Sequence, residues 1–367
     1  MRVLMTGGGS GGHINPALAI CRIIKEREPD SEIMFVGTPK GMENELVTRE
    51  GYPIRHVTIR GVTRGSLLDN LRTARLMVSS KREAKKIIRE FCPDVCIGTG
   101  GFVSWPLISA AESLGIPTVM HESNCQPGMA VKALSPKLSL LFTNFGETAG
   151  MVRCRNVVRS GNPMRKGITR IGKREAMSAL GLEGYGYSVL SCGGSLGAEA
   201  ISNEMISAMK VFSSKHPELH HLHQTGKQKF EEVKNRFSAE GLDSFSNLEI
   251  KDYVYDMPER LCAADVVVSR AGAMTLSELA ELGKPAVLIP SPNVADNHQY
   301  RNAKSFSDMG AAVLVEESEL DGEKVAGILS GLVFDEDRKK SMSEAISEFA
   351  VKDTDRIIYE GIRSVIP

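Results

Sequence analysis

The chain has 367 residues, 42% of them hydrophobic and 25% charged, with 45 Lys and Arg against 45 Asp and Glu. That length suits two domains of about 150 residues each, and the balanced charge speaks against a nucleic-acid partner. The seven scattered cysteines, with no C-x-x-C spacing, read as free thiols of a reducing compartment, and no apolar run approaches the roughly 18 residues of a spanning helix.

The first predicted element is a short apolar strand over 3–6, of buried type rather than a signal peptide. It runs into Gly7-Gly8-Gly9-Ser10-Gly11-Gly12-His13, and a helix is expected over 16–28, with Pro16 in its first turn. Strand, glycine loop and helix together set backbone N–H groups and a positive helix end against a diphosphate. Glycines let the backbone come close. The loop lacks the Lys and Ser/Thr of a Walker A sequence. Read as G-x-G-x-x-G it lacks the acid at the end of the second strand, because Asp30 falls in the turn before it. His13 reads in two ways: a polar neighbour of a helix N-cap, or a general base beside a bound phosphate.

Further strands are predicted over 32–36, 94–98, 118–121 and 138–143, with a helix over 74–90. Such alternation implies a parallel sheet covered by helices on both faces, with ligands beyond the C-terminal strand ends. Gly98-Thr99-Gly100-Gly101 and His121-Glu122-Ser123-Asn124 fall at those ends. In the segment 61–91, Leu67, Leu71, Ala74 and Val78 share a helical face, with Arg72, Arg75, Lys81, Arg82, Lys85 and Lys86 interleaved. The pattern fits a helix packed on the core with a solvated basic face, or a membrane-surface patch using apolar contact and attraction to anionic headgroups.

Ser160-Gly161-Asn162-Pro163-Met164-Arg165 is turn-rich and reads as an interdomain junction. The alternation then restarts. Strands are predicted over 187–191, 220–224, 248–250, 266–269, 286–289 and 312–315. A second glycine loop, Gly193-Gly194-Ser195-Leu196-Gly197, follows the first of them. Helices are expected over 198–211, 227–239, 275–282, 297–308 and 323–334. The tail, 339–365, has a helical pattern and is expected to pack back on the first domain. The division expected is therefore 1–162 with a C-terminal helix of about 349–367, and 163–348. His220, His221 and His223 suggest a metal at first sight, but strand alternation puts His220 and His221 on opposite faces; no metal site is expected.

Two glycine loops, one after the first strand of each half, match the arrangement called GT-B: an α/β chain of two Rossmann-like, doubly wound parallel-sheet domains facing across a cleft. The chain resembles the MurG family, the bacterial peptidoglycan N-acetylglucosaminyltransferases, in nine motifs that run in family order. They are Gly8-Gly9-Ser10-Gly11-Gly12-His13, Gly100-Gly101-Phe102-Val103-Ser104, His121-Glu122-Ser123-Asn124, Gly161-Asn162-Pro163, Gly193-Gly194-Ser195-Leu196-Gly197-Ala198, Gln224-Thr225-Gly226-Lys227, Tyr253-Val254-Tyr255-Asp256-Met257, Ser269-Arg270-Ala271-Gly272-Ala273-Met274-Thr275-Leu276-Ser277-Glu278 and Asn297-His298-Gln299.

The resemblance implies transfer of GlcNAc from UDP-GlcNAc to the C4 hydroxyl of the muramoyl unit of lipid I, with inversion, giving lipid II. A related enzyme with another lipid or a soluble acceptor is the alternative. It implies Ser195 at the diphosphate, Arg165 in contact with the donor, Val254 backbone at uracil, and Glu278 at the ribose, one turn beyond Thr275. Gln299, His298, Ala273 and Met274 would meet the sugar. Ser10, Gly11, Gly12 and His13 would form the acceptor wall, with Asn124 near the donor sugar. His13 or Glu122 would be the base. No cofactor is implied, because preorganised dipoles can take the place of a cation at the leaving diphosphate. The partners implied are UDP-GlcNAc, lipid I, anionic lipid of the inner leaflet and other cell-wall synthesis proteins. The place implied is the cytoplasmic face of the membrane, peripherally.

Overall fold

The computed structural model describes residues 1–61, 67–164, 171–194 and 197–367. The chain divides into two compact units, Met1–Arg165 with Val351–Pro367, and Lys166–Ala350.

In the first unit the elements run β1 (Arg2–Thr6), α1 (Gly11–Arg27), β2 (Glu32–Gly37), α2 (Glu43–Arg49), β3 (Ile54–His56), α3 (Leu67–Phe91), β4 (Val95–Gly98), α4 (Ser104–Ser113), β5 (Thr118–Glu122), α5 (Met129–Leu134), β6 (Leu140–Thr143) and β7 (Val157–Arg159). Among the described residues the strands form a seven-stranded sheet in the order β3-β2-β1-β4-β5-β6-β7, with every pairing parallel. A strand buried on both faces reads as a continuous apolar run, and Val3-Leu4-Met5 is one. Side chains alternate across it. Val3 and Met5 join Ile14, Ile20 and Ile24 of α1 in one cluster, while Leu4 joins Ile87, Ile88, Leu107 and Ile108 of α3 and α4 in another.

The second unit runs α6 (Lys173–Ala179), β8 (Tyr187–Cys192), α7 (Glu199–Val211), β9 (Leu219–Gln224), α8 (Phe230–Ala239), β10 (Leu248–Lys251), α9 (Met257–Ala263), β11 (Val266–Ser269), α10 (Ala273–Leu282), β12 (Ala286–Leu288), α11 (His298–Asp308), β13 (Ala312–Leu314), α12 (Gly322–Val333) and α13 (Glu336–Ser347). The described strands form a six-stranded parallel sheet in the order β10-β9-β8-β11-β12-β13. Val189, Val266, Val268 and Val287 pack there on Ile201, Met205 and Leu329. The chain then returns to the first unit as α14 (Thr354–Ser364), whose Ile358 and Ile362 join the core beside α1. Gly361 makes that docking possible: a Cβ there would lie 2.5 Å from the Phe142 ring.

The structure corrects the sequence reading in three places. Helix α1 begins at Gly11, so Gly11, Gly12 and His13 form its first turn and Pro16 lies inside it. The N–H that Pro16 lacks would have met the Gly12 carbonyl, and Gly12 is exposed to water that can serve instead. The helical pattern of the tail is interrupted: one helix ends at Ser347 and the next starts at Thr354, after Asp353 in the left-handed region (φ 61°). The edge strands β3 and β7 were not expected, because three partly exposed residues make no apolar run.

Helix α3 holds the core with Ala84, Ile87 and Ile88, whereas Val78 is 55% exposed. The side chains of Leu67, Leu71 and Ala74 lie outside the described residues. Among the described residues no helix is long and apolar enough to cross a membrane.

Candidate active site

Each sheet changes winding direction once, between β1 and β4 in the first unit and between β8 and β11 in the second. Ligands of open parallel sheets bind outside the C-terminal strand ends at such a point. The glycine loops follow β1 and β8, so each lies at its own switch point.

In the first unit, Ser10 is the N-cap of α1 and uses backbone only, with no side-chain capping bond. Its carbonyl accepts the N–H groups of His13 and Ile14. The His13 Nδ1 lies 3.0 Å from the Thr99 carbonyl. A carbonyl only accepts, so Nδ1 carries the proton and the lone pair sits on Nε2. The Thr99 hydroxyl donates back to the His13 carbonyl at 2.7 Å. Gly100 and Gly101 stand beside the imidazole, both at positive φ (108° and 78°). A Cβ on Gly100 would come within 2.6 Å of Nδ1, and one on Gly101 would strike the Gly8 carbonyl. The loop after β4 thus fixes both the tautomer and the plane of His13.

A buried carboxylate stands behind this loop. Glu43, 1% exposed at the start of α2, accepts from the Thr38 N–H at 2.9 Å, the Thr38 hydroxyl at 2.8 Å and the Gly9 N–H at 3.4 Å. Gly8, Gly37 and Gly41 all crowd it, and a Cβ on any of them would collide with its side chain. The sequence reading missed Glu43. Its only signal was an acid between glycines, which acquires meaning when β2 sits beside β1.

At the end of β5, Glu122 is 3% exposed. Its Oε1 accepts from the Asn124 N–H (3.0 Å) and the Asn124 side-chain amide (3.2 Å), and its Oε2 accepts from the Gly128 N–H (2.8 Å). Burial pushes the carboxyl above its ordinary value, and these donors pull the other way without cancelling the rise. Both oxygens therefore shape the turn that carries Asn124. Neighbouring His121 is fully buried and lies 2.9 Å from the Gly161 carbonyl through Nε2. Burial holds it down at about 4.

In the second unit, Gly194 and Gly197 have positive φ (92° and 80°), and α7 starts directly beyond them with Ala198 as N-cap. Gly197 packs so tightly on Thr225 that a Cβ would overlap its carbonyl, and the Gly226 Cα would be 3.2 Å away. Val254 follows β10, with its N–H donated to the Gln224 Oε1 at 3.1 Å. Ala273, Met274 and Thr275 form the first turn of α10, capped by Gly272. Glu278, one turn on, is 3% exposed, so it is not the solvated helical acid that its sequence alone allows. His298 and Gln299 open α11 after β12. The Gln299 Oε1 accepts the Ser291 N–H at 2.8 Å, so the amide's Nε2 is its donor end. Ser195 and Arg165 lie outside the described residues.

His221 and His223 share one face of β9, both bonded to the Ser191 hydroxyl (3.0 and 2.9 Å) and onward to Ser213 and Ser202. His220 turns the other way, toward Glu249. Burial lowers His221 and takes His223 to about 4. Among the described residues no group of His, Cys, Asp or Glu could hold a metal ion.

Two doubly wound parallel sheets, each with a glycine loop at its switch point, define the GT-B class of nucleotide-sugar glycosyltransferases. The profile of the glycosyltransferase family 28 N-terminal domain matches residues 3–142, and that of the C-terminal domain matches residues 188–357. The chain is 37% identical over 366 residues, covering 100% of each protein, to the UDP-N-acetylglucosamine--N-acetylmuramyl-(pentapeptide) pyrophosphoryl-undecaprenol N-acetylglucosamine transferase 1 of Bacillus cereus (strain ATCC 10987 / NRS 248). It is 37% identical over 365 residues to the corresponding transferase of Bacillus subtilis (strain 168), covering 100% of this chain and 99% of that one. The crystal structure of Acinetobacter baumannii MurG superposes with a TM-score of 0.78 at 27% identity, over 99% of each chain. The chain belongs to the MurG family of N-acetylglucosamine transferases.

Proposed function

We propose that this chain transfers GlcNAc from UDP-GlcNAc to the C4 hydroxyl of the muramoyl unit of lipid I, with inversion, to give lipid II. The observation that carries the reading is end-to-end identity of 37% to transferases named for this donor and acceptor. The geometry of each unit supports it. In the first, His13 takes the acceptor proton on Nε2 as the hydroxyl attacks the anomeric carbon; a base held in one tautomer is what that step needs. Glu122 acts as a positioning residue for Asn124 rather than as a second base, since three donors already claim its oxygens.

In the second unit, the α7 N-terminus and the glycine loop with Ser195 take the departing diphosphate, aided by Arg165. Backbone dipoles fixed in advance stabilise the charge that develops there. Glu278 accepts from the ribose hydroxyls, and the Val254 backbone reads uracil. Gln299 donates to the sugar, beside His298, Ala273, Met274 and Thr275. Ser10, Gly11 and Gly12 line the acceptor.

The exposed Val78, Phe102 and Met129 of the first unit, with the basic residues of α3, suit contact with anionic lipid of the inner leaflet. Other cell-wall synthesis proteins are partners consistent with that placement.

The test is transfer of labelled GlcNAc to a lipid I analogue and to diacylglycerol, side by side, with and without chelator. Label is expected on lipid I alone, with the rate unchanged by chelator. Label on diacylglycerol alone, or UDP released without any lipid, overturns the reading.

A further inference from the structure

Gln224 is the last residue of β9, and β9 lies between β8 and β10. Its register partners are Cys192 on one side and Lys251 on the other. The loops that leave those two strands are the glycine loop and the Val254 turn. Gln224 is 3% exposed. Its side-chain Nε2 donates to the Gly194 carbonyl at 3.2 Å, and its Oε1 accepts from the Val254 N–H at 3.1 Å. The amide orientation is forced, because a carbonyl can only accept and a backbone N–H can only donate.

We infer that Gln224 is a positioning residue that clamps the diphosphate loop to the uracil turn, so that the two halves of UDP are bound as one unit. The inference rests on the donor-site reading above and adds a residue to it. The chemistry is specific to an amide. Drawing the Gly194 carbonyl inward removes a negative dipole end from the loop surface that meets a diphosphate. The Gly194 carbonyl also accepts the Gly197 N–H at 3.0 Å, which closes the loop on itself. A carboxylate at position 224 would keep the bond from Val254 but set a lone pair against the Gly194 carbonyl. An aliphatic side chain would lose both bonds. Gln224 touches no substrate; it fixes the spacing between two groups that do.

The experiment is calorimetric titration of wild type, Gln224→Glu and Gln224→Met with UDP and with UMP at neutral pH, alongside thermal melting of each protein. Wild type is expected to bind UDP more tightly than UMP. Gln224→Glu is expected to weaken UDP by about tenfold or more, from one lost buried hydrogen bond and a carboxylate oxygen set against the Gly194 carbonyl, while UMP changes far less. Gln224→Met weakens both. If Gln224→Glu keeps the wild-type ratio of UDP to UMP affinity, whether or not it melts early, Gln224 only supports the fold and the clamp is overturned. If wild type binds neither nucleotide, the donor-site reading itself fails and the clamp falls with it.

Discussion

The two glycine loops are built alike and braced differently. In the first unit the loop after β1 gives its Gly9 N–H to a buried carboxylate, Glu43. In the second, the loop after β8 is held by a neutral amide that takes up a carbonyl, Gly194, and leaves no charge behind the loop from that brace. The same strand–loop–helix thus serves two ends. A buried carboxyl group stands behind the first loop, the one that carries the proposed base His13. A loop whose carbonyl is turned inward, with the α7 N-terminus beyond it, suits a leaving diphosphate. The lesson is that glycine content signals close approach of the backbone, while the buried brace decides what may approach.

Breaking the first loop at its reactive end has the largest expected effect. His13→Ala should lower turnover by about 10²–10⁴, read as kcat with both substrates saturating. Unchanged turnover would remove His13 as the base. Glu43→Gln sharpens the comparison at the brace itself. The amide has one acceptor where Glu43 has two oxygens in use, and its NH2 would face a backbone N–H. The expected cost is about 1–3 kcal/mol of unfolding free energy from urea titration, with a fall in kcat and no loss of UDP affinity. A drop in UDP affinity without loss of stability would show that Glu43 serves the donor instead.

The smallest effect is on stability against pH. His121 and His223 each titrate near 4 in the fold against an ordinary 6.5, because burial disfavours the charged ring. The unfolded chain therefore takes up their protons first. Their contribution is full only well above pH 6.5, where the unfolded rings are neutral, and falls as pH drops through 6.5 toward 4, by up to about 1.4 kcal/mol per pH unit for each histidine. Urea midpoints should be level at pH 8.5 and 8, lower at 6.5 and lowest at 5. A midpoint that rises toward pH 5 would contradict the neutral, buried state of these rings.

Much of this arrangement was legible in the residues. The buried strands announce themselves as apolar runs, and both glycine loops fall where a parallel sheet binds ligands. Glu278 and His13 stood out because the motif order placed them, not because their spacing did. What stayed hidden has a common physical cause. Glu43, Thr99 and Gln224 brace loops that follow other strands, mostly through hydrogen bonds to backbone, and backbone partners leave no trace in side-chain pattern. The start of α1 was hidden for another reason. Glycine disfavours helix interiors by about 1 kcal/mol relative to alanine, so Gly11 and Gly12 read as loop until the Ser10 carbonyl is seen to accept the first helical N–H groups. Glu122 was legible as an acid at a strand end, but its engagement with Asn124 and Gly128 was not.

The central claim is a division of labour, with proton transfer in the first unit and donor binding in the second. Calorimetric titration of UDP into His13→Ala and Glu278→Ala tests it most directly. The account predicts wild-type affinity in His13→Ala and about 10- to 100-fold weaker binding in Glu278→Ala, from lost hydrogen bonds to a charged group. UDP affinity lost in His13→Ala and kept in Glu278→Ala would contradict it.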